Sequence, residues 1–334
     1  MKKNNNDIDF VQLWVDGSDK SWLLEKSKYL PDLDIDDSIK RYRNWDNLHF
    51  WFRGVEKYAP WVRKIHLVTC GHYPSWINTE HPKLNLVKHS DFIPEKYLPT
   101  FNSSSIVINL HRINNLSEYF VLFNDDLFIL QQLYEKDFFQ NDFPCDKAIF
   151  NKITPRIPFS YNIFNNMYVI NNHFNKNDVL KKYFFKWFNV HYKFKENLLF
   201  LYSFLSKNNS FPGIGNHHLP ISYKKNNFKE VWNIEYDWLD KTSMNKFRTK
   251  EDLTDWLFRY WHIMEGEFHP RPIPGKYYGL TKNNNNNIYN DIKKQKHKLI
   301  CVNDTDDDIN FEVEQQKLNT VFEYIFPNKS SFEL

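Results

Sequence analysis

Carboxylates gather at two places in this sequence where an apolar run breaks off. Asp16 and Asp19, in Asp16-Gly17-Ser18-Asp19, follow the run IDFVQLWV (8–15), and Asn124-Asp125-Asp126 follows YFVLF (119–123). A hard cation such as magnesium takes oxygen ligands on a rigid frame, so paired carboxylates at strand ends suit chemistry on phosphate groups. The same residues have a plainer reading, the first group as a turn and the second as a helix cap, and residue types alone leave the two readings level. His217, His218 and Pro220 follow a Pro212-Gly213-Ile214-Gly215 turn, with Arg248 further on. A histidine titrates near neutral pH and can move a proton, yet in a chain with 13 of them most are structural. Asn303-Asp304-Thr305-Asp306-Asp307-Asp308 begins like a calcium loop but lacks the glycine such a loop needs at its sixth position, so an EF-hand is excluded.

These groups need a frame, and the apolar pattern supplies one. Residues 8–15, 64–69, 84–88 and 119–123 read as short buried strands. Between them, Asp46 to Tyr58 places Leu48, Phe52, Val55 and Tyr58 on one helical face before Pro60, and Ser103 to Ile113 reads as a helix capped by Asn102 or Ser103. Strands alternating with helices predict an α/β fold with a mostly parallel sheet covered on both faces. In such sheets ligands gather at the C-terminal strand ends, where both acidic groups fall. Residues 127–210, rich in Phe, Asn and Lys, read as a mainly helical subdomain with helices near 178–190 and 195–206. A helix is expected over Glu251 to Glu265, capped by Thr249, and another over Val313 to Ile325. The five asparagines Asn283 to Asn287 read as a poorly ordered loop. The division expected is 1–130 as an α/β part of the core, 131–212 as a mainly helical insertion, and 213–334 as the C-terminal part of the core.

Composition narrows the partners. Lys plus Arg is 44 against 41 for Asp plus Glu, a balance of +3 that gives no reason to expect nucleic acid. Aromatic residues make up 18%, which excludes a disordered chain. With 8 glycines and no Gly-x-Gly-x-x-Gly or Walker loop, phosphate must be held by side chains, metal or helix ends. Cys70, Cys145 and Cys301 are too few and scattered for a disulfide framework. The start of the chain is polar, and no window approaches the roughly 18–20 apolar residues of a spanning helix. Neither a signal peptide nor a transmembrane segment is expected, and a cytoplasmic location fits. The aromatic and lysine-rich stretch 174–202, with Lys181, Lys182, Phe185 and Phe188, could offer weak peripheral membrane contact, although a buried aromatic helix face with solvated lysines is the stronger reading.

Seven ordered segments, IDFVQLWVDGSD (8–19), RYRNWDNLHFWFRGVEKYAPWVRKIHLVTCG (41–71), YLPTFNSSSI (97–106), LHRINNLSEYFVLFNDDLF (110–128), HLP (218–220), DKTSMNKFRTKEDL (240–253) and 300–334, resemble the Stealth family. Together they span nearly the whole chain, with 130–210 the least distinctive part. The resemblance implies a catalytic core similar to the Rossmann-like, glycosyltransferase-A-like sheet of nucleotide-sugar enzymes. It also implies an activity: transfer of a hexose- or N-acetylhexosamine-1-phosphate from a nucleotide sugar to a hydroxyl of a glycan, which can be lipid-linked. Nucleoside monophosphate leaves, and phosphodiester linkages form in capsular polysaccharide.

The same resemblance assigns residues. Asp126, His218 and Arg248 match the family's catalytic Asn-Asp-Asp, His-x-Pro and post-Asp-Lys-Thr-Ser positions. Asp125, Asp126 and Asp304 match a site for Mg2+ or Mn2+. Substrate contacts are implied for Asp16, Gly17 and Asp19, for Arg41 and Arg53, and for Asn102, Arg112 and Asn303. Arg248 would clamp phosphate, and His218 would act as general base or as a nucleophile carrying phosphate. Where the family usually has Ala-Ile-Glu before the pair His111-Arg112, this chain has Ser105-Ile106-Val107, and Asn47 stands where an acidic residue is common. Two rival readings follow: an ordinary glycosyltransferase that moves only the sugar, and an inactive carbohydrate-binding member.

Overall fold

The computed structural model describes residues 7–30, 43–155, 157–306 and 308–334. In its first part, β1 (Ile8–Leu13), α1 (Lys20–Ser27), α2 (Leu48–Tyr58), β2 (Ile65–Thr69), β3 (Leu84–Lys88), α3 (Ser103–Ile108), β4 (Tyr119–Phe123) and β5 (Leu127–Ile129) follow one another. Next come β6 (Phe139–Gln140), β7 (Phe143–Asp146), α4 (Phe159–His173), α5 (Lys176–Lys182), α6 (Phe184–Trp187) and α7 (Phe194–Leu205). The chain continues through β8 (Ile221–Lys224), α8 (Lys225–Ile234), α9 (Tyr236–Met244), α10 (Trp256–Met264), β9 (His269–Pro270), β10 (Gly275–Leu280), α11 (Asn286–Lys293), β11 (Leu299–Asp304) and α12 (Phe311–Ile325).

The main sheet has the order β3-β2-β1-β4-β8, parallel except for β8, which runs antiparallel to β4. Successive side chains of a strand face opposite ways, and both faces here are covered. Phe10, Ile65, Leu67, Val121 and Phe123 enter one apolar core, while Val11, Val68, Phe120 and Leu122 enter the other. The fold is therefore the expected α/β class with a mostly parallel sheet. A second sheet, β10-β11-β5, and a third, β6-β7-β9, flank it. Through β8, β9 and β11, residues after 212 pair with strands that precede 150.

Several local expectations are corrected. Asn124-Asp125-Asp126 caps no helix; it is a turn, closed by Leu127 N–H to the Asn124 carbonyl at 3.2 Å, that folds β4 into β5. The helix expected to reach Ile113 stops at Ile108 and is followed by a single tight turn at Leu110–Arg112. The helix expected from Glu251 starts only at Trp256. Asp252 explains the delay, because its carboxylate takes Thr249 N–H at 2.9 Å together with the Asn102 and Asn245 amides, which ties 249–252 into a turn. The asparagine run is ordered: buried Asn285 donates to Glu314 at 2.6 Å, and Asn286 opens α11. Among the described residues, no helix is long and apolar enough to cross a membrane.

Candidate active site

A cleft of about 770 Å³ opens at the C-terminal ends of β1, β2 and β4, the place where a parallel sheet gathers its ligands. Its walls carry Asp125, Asp126, His218, Arg248, Asn303 and Asp304, drawn from four distant stretches of sequence. Each is held by a traceable local cause.

Asp126 is fixed by β11. Strand β11 pairs antiparallel with β5, Leu127 opposite Cys301, and Val302 N–H donates to the Asp126 carbonyl at 2.8 Å. Cys301 and Asn303, two apart on β11, share one face, and both reach Oδ2 of Asp126, from Sγ at 3.1 Å and from Nδ2 at 2.8 Å. Burial, with Asp126 second, pushes the Cys301 thiol far up, so it stays protonated and donates. Enclosure by the cleft walls, reinforced by Asp126, pushes the Asp125 carboxyl up to about 7. The residue is exposed in the open cleft, and water offsets part of that rise. Asp304 is held from the other side: Arg43, stacked on Phe311, donates to its Oδ2 at 2.7 Å. The Asp304 Oδ1 is buried and has no hydrogen-bond partner.

Arg248 and α3 are laced together. The Arg248 guanidinium donates to Ser103 Oγ and lies over the Phe159 ring at 5.1 Å. Phe101 N–H bonds the Lys246 carbonyl at 2.8 Å, and Lys246 Nζ caps the carbonyls of Tyr97 and Leu98. His218 stands exposed on the segment entering β8, its ring 5.1 Å from Tyr277 and 6.2 Å from Trp256. The preceding turn requires glycine at 213, where φ is +144° and a Cβ would run into the Asn151 carbonyl oxygen. Next to His218, His217 also lines the cleft and lies 3.7 Å from Asp146. Asp146 is buried and receives both Nε and Nη2 of buried Arg259 at 2.8 Å, with His262 at 3.3 Å. Burial alone would raise the Asp146 carboxyl, but Arg259 and the two histidines hold it well below the usual carboxylate range.

Residues 6–34, 41–146 and 290–334 match the models of Stealth protein conserved regions 1, 2 and 4. A capsular polysaccharide phosphotransferase WcwK of Streptococcus pneumoniae is 43% identical, with 99% of each chain covered. The exopolysaccharide phosphotransferase cps2G of Lactiplantibacillus plantarum is 40% identical over 98% of this chain and 96% of its own. The chain belongs to the Stealth family. A receptor polysaccharide phosphotransferase WefC of Streptococcus oralis, 35% identical over 98% of this chain and all of its own length, is a further relative.

The remaining residues assigned by the Stealth resemblance fall into three places. Asp16 and Asp19 line a side chamber of about 230 Å³ that shares Trp14 with the cleft. Both are tied locally: Asp16 Oδ1 accepts from Ser18 N–H and Oγ, and Asp19 caps α1 by accepting from Trp22 N–H at 2.7 Å. Gly17 joins them in the turn. Three residues lie off the cleft walls. Arg53, expected at substrate, grips Glu333 with two nitrogens at 2.9 and 2.8 Å and the Phe326 carbonyl at 2.6 Å. Arg112 bonds Asn109 and covers Trp232. Asn102 is fully buried, caps α3 by accepting from Ser104 N–H, and donates to Asp252 at 2.7 Å, so it braces the Arg248 loop and does not face the cleft. Arg41 lies outside the described residues. Val107, the residue in place of a carboxylate, is buried at the cleft wall, as is Asn47.

One cleft residue and one partner of a cleft residue escaped the sequence reading. Arg43, two positions from Arg41 in RYRNW, is the partner of Asp304. Asp255 lines the cleft, and desolvation pushes its carboxyl up to about 6 against the hydrogen bond it accepts from Tyr223 at 2.9 Å. Its signal was present in TDWL, but it was absorbed into an expected helix.

Proposed function

We propose that the chain transfers a hexose- or N-acetylhexosamine-1-phosphate from a nucleotide sugar to a glycan hydroxyl in capsular polysaccharide, releasing nucleoside monophosphate. The observation that carries the reading is the convergence of Asp126, His218, Arg248 and the Asn303-Asp304 pair on one strand-end cleft. The names of the full-length relatives, all polysaccharide phosphotransferases, support it. Displacement at phosphorus places charge on the moving phosphoryl group and on the departing monophosphate, so a site for it needs cationic groups there. Arg248 is one such group, its guanidinium already oriented by Ser103 and Phe159. His218 is the proton acceptor from the acceptor hydroxyl, or the nucleophile that carries phosphate in a two-step route.

Mg2+ or Mn2+ belongs to the proposal, and the residues present fit it. Asp125, Asp126 and Asp304 offer carboxylate oxygens to one cleft, and the buried Asp304 Oδ1 lacks a partner. Among the described residues no three His, Cys, Asp or Glu side chains form a ready cage. Magnesium is usually held by one or two carboxylates together with substrate phosphates. Bound there, the ion would neutralise phosphate charge. A nucleotide-sugar donor would put the reaction on the cytoplasmic side, and the acceptor can be lipid-linked.

Phosphorus NMR of polymer made from candidate donors tests the reading: a phosphodiester resonance supports it, and a product without phosphorus removes it. Val107 on the cleft wall favours one rival, an inactive glycan-binding member. Retained glycan binding with no turnover on any donor would establish that rival.

A further inference from the structure

Helix α7 is apolar on both sides. Its inner side is packed, with Phe200 against Phe184 at 5.1 Å and against Phe188 at 5.9 Å, and Asn197 tied to the Asn189 carbonyl at 2.9 Å. Its outer side lies in solvent. Phe194, Leu198, Tyr202 and Leu205, spaced four, four and three along the helix and hence on one face, are 76, 48, 75 and 79% exposed. Phe185 and Val190, on the segment packed beside α7, add 79 and 92%. A helix that is hydrophobic all round is normally covered, and a contiguous exposed apolar patch marks an interaction surface.

The charges around the patch select what covers it. Lys181, Lys182, Lys193, Lys195 and Lys207 are exposed. From 181 to 207 the one acidic residue is Glu196, and it is already paired with Lys147 at 2.7 Å. A second copy of this chain meeting the same patch across a two-fold axis would bring the lysine sets together. Aromatic and aliphatic side chains rimmed by lysines instead suit the boundary of an anionic bilayer, where apolar burial and attraction to headgroups act together.

We propose that the α7 face, with Phe185 and Val190, is a docking surface for an anionic lipid bilayer. The inference goes beyond the phosphotransfer reading and does not depend on it. It also narrows the contact expected in the stretch 174–202, because Trp187 and Phe184 are packed inward and α7 supplies the outward face.

Flotation of the whole chain with phosphatidylcholine vesicles, with and without phosphatidylglycerol, tests it. The expected result is binding to the anionic vesicles, weakened by salt, with little binding to phosphatidylcholine alone. The variant Phe194→Ser/Tyr202→Ser/Leu205→Ser should lose about ten-fold in partition, and Lys193→Glu/Lys195→Glu a similar factor. All five side chains are exposed, so thermal unfolding should not move, and each variant checks the other should one fold poorly. Absence of binding by the parent chain, or equal binding by both variants, overturns the proposal. A dimer of the parent that the serine variant converts to monomer also overturns it and assigns the patch to a second copy.

Discussion

Replacing Asp146 by asparagine removes one charge from a buried cluster without changing its shape. Arg259 is 1% exposed, and among the described residues the Asp146 carboxylate, 2.8 Å from two of its nitrogens, is the one anion it touches; its other acceptors are the Gly215 and Lys147 carbonyls and the Asn216 amide oxygen. An asparagine there offers one acceptor and turns an amide N–H₂ toward a guanidinium. Leaving a buried guanidinium without its counter-charge costs about 3–5 kcal/mol, a large share of a total stability of about 5–15 kcal/mol. The sign with pH follows from the shifts. The folded Asp146 carboxyl titrates below its unfolded value, so its contribution is present above about pH 4 and is lost as pH falls through the folded value. Burial holds His262 below its usual value, so folding favours its neutral form and stability falls as pH drops below about 6.5 in both proteins. Urea unfolding at pH 7 measures the cost directly. An Asp146→Asn variant within about 1 kcal/mol of the parent at pH 7 would refute the argument that Arg259 depends on this carboxylate.

Asp126→Asn keeps an acceptor for Asn303 and Cys301 but removes the charge, so turnover should fall about a hundred- to a thousand-fold with unchanged unfolding; a near-normal rate in steady-state assays would remove Asp126 from the chemistry. Arg248→Lys keeps charge but loses the planar two-pronged contact, and kcat/KM should drop about a hundred-fold or more; equal activity would reduce Arg248 to a diffuse electrostatic role. Arg53→Met should behave oppositely, since its partners are Glu333, Glu323 and the Phe326 carbonyl. It should cost about 3 kcal/mol in urea unfolding and leave KM for the donor unchanged, whereas a raised KM at full stability would return Arg53 to the substrate.

The strands that carry the cleft were legible because each is a short, mostly apolar run; residues 84–88 and 119–123 match β3 and β4 at both ends. The second sheet was not. Strand β5 is three residues long, and β10, GKYYGL, is half exposed, so neither gives a clear period. What holds Asp126, the Cys301 and Asn303 pair on β11, is a contact across the fold that spacing along the chain does not express. Arg53 shows the converse: an arginine in a functional motif whose partner, Glu333, lies 280 residues away and turns it into a brace. Asp255 was hidden because Asp252, by tying its loop, delays α10 and leaves Asp255 at the helix start on the cleft wall.

The nucleotide released during transfer tests the account most directly. Incubating the chain with candidate nucleotide sugars, acceptor glycan and magnesium, then separating nucleotides by anion exchange, should yield nucleoside monophosphate in step with product, since the bond broken lies between the two phosphates. Stoichiometric nucleoside diphosphate would mean that the sugar alone moves, and would contradict the account.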